Sequence, residues 1–344
     1  MTDAIGIVGN DVPRQLVLAA GMVPRQLTGS WNGRVDDRAA QLLGAVDAVT
    51  TRILSDIMAA ADSLAGIVVC NDSQAHLRLF YVLRMLGGAP PVHLVDLPRR
   101  DSAAARTFAA LQLHELVRFL SRISGRPLEA TALRAAADAE TRIGEAAARL
   151  RQRRRAVPSV VLGATALRAL RAAMSSPEDE AVELLDAARD EPRPSGDRVH
   201  LTGSSHPDAS VYDALESTGM VVVSDDHDTG DLAWVGAAVT SDDLAEVCAG
   251  LAALHFTRDP ASAVGLISER TADSLARAVD ARAEFGVSLL RPLDDAPSWD
   301  AADTAAAFEA SGIPFVVHAK VDGTDAAGLA FTISSEISGR RKRP

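Results

Sequence analysis

The chain has 344 residues, 47% of them hydrophobic and 24% charged, and its 35 basic and 46 acidic residues give a net charge of −11. That length favours two domains over one core, the composition is that of a globular protein, and the acidic balance disfavours phosphate backbones, so no nucleic-acid partner is expected. The only two cysteines, Cys70 and Cys248, form no disulfide framework, no apolar run nears the ~18 residues that span a bilayer, and no signal region follows Met1, which together predict a cytoplasmic protein with no membrane partner.

Ala4 to Val8 is a short apolar run closed by Gly9-Asn10, a strand and its turn. Pro13 opens a helix that runs to Ala20 and stops at Gly21, and Met22 to Leu27 is extended again. Helical periodicity spans Gln41 to Ala61. Gly66-Ile67-Val68-Val69-Cys70 is a compact β-branched run, hence a buried strand. Asn71-Asp72-Ser73 then caps a helix from Gln74 to Leu86, closed by Gly87-Gly88, and Pro91 to Leu97 is the next strand. Strand, cap, helix and strand in that order are the grammar of a parallel doubly wound sheet.

From Asp101 to about Arg189 the chain turns Ala-, Leu- and Arg-rich with helical spacing, and Pro127, Pro158 and Pro177 divide it into several helices. Asp190 to Asp197 reads as a linker. Beyond it the first grammar restarts. Strands are expected at Arg198–Thr202, Met220–Ser224, Gly286–Leu290 and Ile313–His318, with helices at Ala209–Thr218, Asp243–Leu254, Ala261–Glu284 and Asp300–Ser311. The basic run Gly339 to Pro344 reads as a solvated end. The predicted class is therefore α/β, with two doubly wound, flavodoxin- or Rossmann-like parallel-sheet lobes. The boundaries are 1–100, a helical connector or cap region at 101–189, a linker at 190–197, and 198–344.

Ligands of such sheets sit beyond the carboxyl ends of the strands, which singles out the loops after Cys70, Thr202, Ser224 and Leu290. Asp225-Asp226-His227-Asp228 places carboxylates and an imidazole after a strand, a pattern suited to acid–base work or a hard cation, with Asp226 and His227 as candidate catalytic residues. Asn71, Asp72 and Ser73, together with Ser204, Ser205 and His206, are the candidate substrate contacts. The second trio follows Gly203 at a helix N-terminus, where a phosphate or a carboxylate could dock. His76, His93 and His114 fall inside predicted elements and read as packing or surface residues, and His255 lies near a loop. No Walker loop, GxGxxG or Ser-His-Asp order is present.

Four stretches, in order, bear a resemblance to a known family: Val12-Pro13-Arg14-Gln15-Leu16 running to Gly21-Met22-Val23-Pro24, Leu64 to Asp72, Gly219-Met220-Val221-Val222-Val223-Ser224-Asp225-Asp226, and Ser311-Gly312-Ile313-Pro314. Together they resemble the 2-hydroxyacyl-CoA dehydratase and benzoyl-CoA reductase family over nearly the whole chain. The resemblance implies a lyase or reductase subunit acting on an acyl-CoA ligand. It also implies a homologous partner subunit, an ATP-dependent activator, and a 4Fe–4S cluster held by three cysteines. Such clusters require soft thiolate ligands. The family cysteines are expected near Val49-Thr50-Thr51-Arg52, at Asn71 and near Leu293-Asp294, and none of these positions is a cysteine here. Cys70 falls one residue early, which along a strand end turns it to the opposite face, and it is the only remaining candidate ligand. No metal or cluster is expected on this chain, which the resemblance makes the cluster-poor partner of a cluster-bearing subunit. Two alternatives stand beside that reading: a non-catalytic scaffold subunit, and a repurposed two-lobed enzyme working through Asp225, Asp226 and His227.

Overall fold

Two short runs of β-branched residues seed the centre of the first sheet: β1 (Ala4–Val8) and β3 (Gly66–Cys70), flanked by β2 (Val23–Gln26) and β4 (Val92–Val95). The computed structural model describes residues 4–60, 63–191, 194–260 and 265–341. Part of the expected linker, the start of the helix expected at Ala261 and the end of the basic tail lie outside the described residues. The four strands are parallel in the order β2-β1-β3-β4. Side chains of β3 alternate between faces, as a strand's period of two requires. Val68 and Cys70 join α1 (Arg14–Ala19) and α5 (Ala103–Ser124) on one face. Ile67 and Val69 join α2 (Asp37–Leu43), α3 (Ala48–Ala59) and α4 (Gln74–Met85) on the other.

The second sheet repeats this plan with β5 (Asp197–Gly203), β6 (Met220–Asp225), β7 (Phe285–Leu290) and β8 (Phe315–Ala319), all parallel in the order β6-β5-β7-β8. One face packs on α7 (Gly163–Ala173), α9 (Ser210–Ser217) and α13 (Ala326–Arg341), the other on α11 (Ile267–Asp280) and α12 (Asp295–Ala310). The class expected from sequence, two parallel-sheet lobes flanked by helices, is the class observed.

The lobes are tied by α6 (Ala130–Arg155), 26 residues and about 39 Å long at 1.5 Å per residue. Its first half meets α1, where Glu140 accepts from Arg14 Nε at 3.2 Å. Its last turn meets β6, where Arg154 lies 2.9 Å from Asp225. Against α6, α7 and α8 (Glu178–Ala187) close a small separate core. Midway along α6, a Cβ on Gly144 would sit 2.4 Å from the Cα of Gly236, so both glycines are needed for the 230s loop to lie on the helix. A second tie runs the other way. After β6 the chain returns to the first lobe, where α10 (Leu244–Phe256) packs along α5. His255 there donates to the Pro98 carbonyl at 2.9 Å, and Arg258 pairs with Asp11 at 2.7 Å.

Three expectations change. The single helix expected over 41–61 is two helices, because Gly44 adopts φ +63 and Asp47 caps a new start by accepting from the Thr50 N–H. The helix expected from Asp300 begins at Asp295. Helix α13 was not anticipated; Ala330, Ile333 and Ile337, spaced three and four apart, bury its inner face. Among the described residues no helix is long and apolar enough to cross a membrane.

Candidate functional site

Each sheet grows to one side of its first strand and then to the other, so a crevice opens where the order switches, between β1 and β3 and between β5 and β7. The loops leaving those four strands face one another across the lobes and enclose a cavity of about 270 Å³. From the first lobe come Gly9, Asn10, Asp72 and Ser73, and from the second Ser205, Arg291 and Asp294. Asp47 and Thr50 at the start of α3, His76 in the first turn of α4, and Asp228 after β6 complete the wall.

The first-lobe side is built around Asp72. One carboxylate oxygen accepts the Asn10 N–H at 2.9 Å, and the other lies 2.5 Å from His76 Nδ1. Ser73 caps α4 by accepting the His76 N–H at 3.0 Å, which fixes the imidazole in the first turn. Burial disfavours the imidazolium, but Asp72, Asp47 and Asp228 outweigh it, and the His76 pKa is pushed up to about 8. On the second-lobe side, Arg291 donates its N–H to Ser204 Oγ at 2.9 Å and sets its guanidinium 3.0 Å from Asp294. Ser205 accepts the Asp228 N–H at 3.2 Å.

The residues singled out in the sequence divide into two groups. Asp72, Ser73 and Ser205 line the cavity. Asn71 turns away, donating to Asp96 at 2.9 Å, and Ser204 lies behind Arg291. His206 and His227 are buried side by side, with ring centroids 5.0 Å apart. His206 accepts the indole N–H of Trp31 at 3.3 Å, and burial holds its pKa well below that of an ordinary histidine. His227 Nδ1 lies 3.1 Å from the Tyr212 hydroxyl. Asp225 is saturated, accepting from Arg154, Tyr212 and the N–H groups of His227 and Asp231; although burial opposes its charge, Arg154 and His227 hold its carboxyl well below the usual range. Asp226 faces a different, small pocket and accepts from Thr202 Oγ1 at 2.6 Å; burial raises its carboxyl.

Sequence reading missed Asn10, Asp47, Thr50 and Arg291 as cavity residues and read His76 as a packing or surface residue. Two signals were available. Gly9-Asn10 follows the first strand of a switch point, and Asp47-x-x-Thr50 is a helix-start pattern that a continuous 41–61 helix conceals.

Two of the three places where a family cysteine is expected line this cavity, Val49 with Thr50 and Leu293 with Asp294; the third, Asn71, turns away to Asp96, and its neighbour Asp72 lines the wall instead. The cavity side chains at and beside these positions are a hydroxyl, carboxylates and apolar groups, none of them a soft ligand for iron. Cys70 faces the α1–α5 core, fully buried, with Sγ accepting the Asp11 N–H at 3.2 Å; burial and then Asp72 and Asp11 raise its pKa well above a free thiol's. A thiol kept protonated in a core is not a cluster ligand. Cys248 is buried in α10. Among the described residues, no group of three or more His, Cys, Asp or Glu side chains could hold a metal ion. The residues present do not fit a 4Fe–4S cluster. A comparison with curated proteins gives no match. The family model described as 2-hydroxyglutaryl-CoA dehydratase, D-component, matches residues 10–326, both lobes and the helices between them, and the chain belongs to that family.

Proposed function

We propose that this chain is the cluster-free subunit of an acyl-CoA dehydratase-type assembly. In this reading the interlobe cavity receives the acyl end of a thioester, while a homologous partner subunit carries the iron–sulfur cluster and is served by an ATP-dependent activator. One observation supports it: two of the three positions expected to hold the cluster line a single cavity, the third directly precedes the lining residue Asp72 in sequence, and none of them carries sulfur. A cavity of about 270 Å³ is below the range usual for drug-sized ligands, so it suits a short acyl group with the bulk of CoA outside. Asp72, Ser73 and Ser205 are the proposed substrate contacts. Asp226 and His227 lie outside the cavity lining, and the loop they belong to supplies Asp228 to it.

Coexpression with a cysteine-complete family member, followed by sizing chromatography with light scattering, tests the pairing. Comigration at 1:1 with iron only in the partner is the expected result. Separate elution at micromolar concentration, or a near-stoichiometric cluster on this chain alone, would overturn the proposal.

A further inference from the structure

His76 is placed in a way that a packing residue does not need. Its side chain is 21% exposed, its Nδ1 is committed to Asp72, and its Nε2 has no partner among the described residues while the ring lines the cavity. Asp72 is held in turn by the Asn10 N–H and by a backbone that leaves no room for a side chain at Gly9. A Cβ there would lie 2.3 Å from Asp72 Oδ2. Carboxylate, imidazole and cavity thus form an ordered line. It is the arrangement that fixes a histidine's orientation and presents its second nitrogen outward.

We infer that His76 is the anchor for the carbonyl oxygen of an uncharged acyl ligand, donating its Nε2–H to that oxygen inside the interlobe cavity. This deepens the proposed function, on which the identification of the ligand as a thioester rests. The charges around His76 decide the ligand class. Asp72 faces it from its own loop, Asp47 from α3, and Asp228 from the β6 loop. Asp294, Asp295 and Arg291 after β7, with Arg99 at the rim, complete the set. Carboxylates outnumber cations, so a free carboxylate entering the cavity meets a net negative field, whereas a neutral carbonyl does not. With Nδ1–H given to Asp72, a neutral imidazole offers only a lone pair at Nε2, and the charged form alone donates there. Anchoring therefore requires the protonated ring.

The test uses the full-length chain labelled with 15N-histidine, with butyryl-CoA, S-ethyl thiobutyrate and butyrate as probes, read by imidazole NMR and by calorimetry. The His76 ring should titrate near pH 8 in the free protein, and lower in Asp72→Asn. Both thioesters should shift the Nε2 resonance, and butyrate should not. With the competent fraction falling from about nine-tenths at pH 7 to about three-hundredths at pH 9.5, thioester affinity should drop about thirtyfold. In His76→Gln, whose amide donates at every pH, that dependence should vanish while binding persists. Saturating thioester with an unmoved His76 resonance, or equal affinity at pH 7 and 9.5, would overturn the anchor. If S-ethyl thiobutyrate moves His76 and butyryl-CoA does not, the anchor stands and the CoA reading falls.

Discussion

Replacing Arg154 with leucine removes the charge that compensates a buried carboxylate while keeping much of the apolar stem. Arg154 is 3% exposed, its Nη2 lying 2.9 Å from Asp225 and 3.4 Å from Asp231. Asp231 keeps Arg155 at 3.0 Å, but Asp225 loses its one cationic donor and keeps the Tyr212 hydroxyl and two backbone N–H groups. Breaking a buried pair from one side costs about 3–5 kcal/mol. A 344-residue chain unfolds with an entropy of roughly 0.7 kcal/mol/K, so Tm should fall by about 4–7 °C at pH 7. Two controls separate lost charge from lost packing. The unpaired Asp225 carboxyl in the variant has a raised pKa, so its penalty is full above that value and disappears as pH falls; the deficit should shrink by pH 4.5. Adding Asp225→Asn should restore more than half of it at pH 7. Scanning calorimetry at one scan rate reads all three. A loss under about 1 °C, or a deficit untouched by Asp225→Asn, would refute the argument that this pair organises the loop carrying Asp228.

Burial lowers the pKa of His200, to about 3, and of His206, so both are neutral in the fold while the unfolded chain takes up protons near 6.5. Stability should therefore be full above pH ~6.5 and decline below it by up to about 1.4 kcal/mol per pH unit for each ring; a Tm flat from pH 7 to 5 would contradict this. The raised His76 has the opposite sign: its contribution is present below pH ~6.5 and is lost as pH rises through about 8. Gly9→Ala must place a side chain at φ +94, 2.7 Å from the Cys70 Cβ, at a cost of about 1–3 kcal/mol; the His76 pKa should fall as Asp72 is displaced, and an unchanged NMR titration would count against the dyad. The chain purified alone under anaerobic conditions should carry neither stoichiometric iron nor acid-labile sulfide, and a broad visible band at near-unit stoichiometry would reject the fit argument.

Strand β3 and its cap were legible because everything that makes them is local: four β-branched or apolar residues, then Asn71-Asp72-Ser73. The cavity's rough address was legible too, since parallel strands deliver their loops to one edge. Which loop residue faces the cavity was not. Ser204 and Ser205 are neighbours in sequence, yet one is fixed behind Arg291 and the other borders the cavity. His206 looked accessible until Trp31, 175 residues earlier, filled the space beside it. His76 posed the reverse problem. Its helical setting suggested packing or surface, and Asp72, four residues before it, joined by Asp47 and Asp228 from distant segments, makes its environment unusual. Local signals wrote the elements; long-range neighbours decided the chemistry.

The return of α10 to the first lobe has a consequence for how the protein is made. The apolar flank of α5 leaves the ribosome by residue 124, but the helix that covers it is complete only at Phe256. At synthesis rates of about 5–20 residues per second, that surface waits about 7–26 seconds before its cover exists. During the interval α6 to α9 and two strands of the second sheet must emerge between them. The nascent chain therefore carries an open hydrophobic face through more than a third of its own translation, which makes the Leu113–Leu120 stretch the natural place for a chaperone to bind and for premature aggregation to begin.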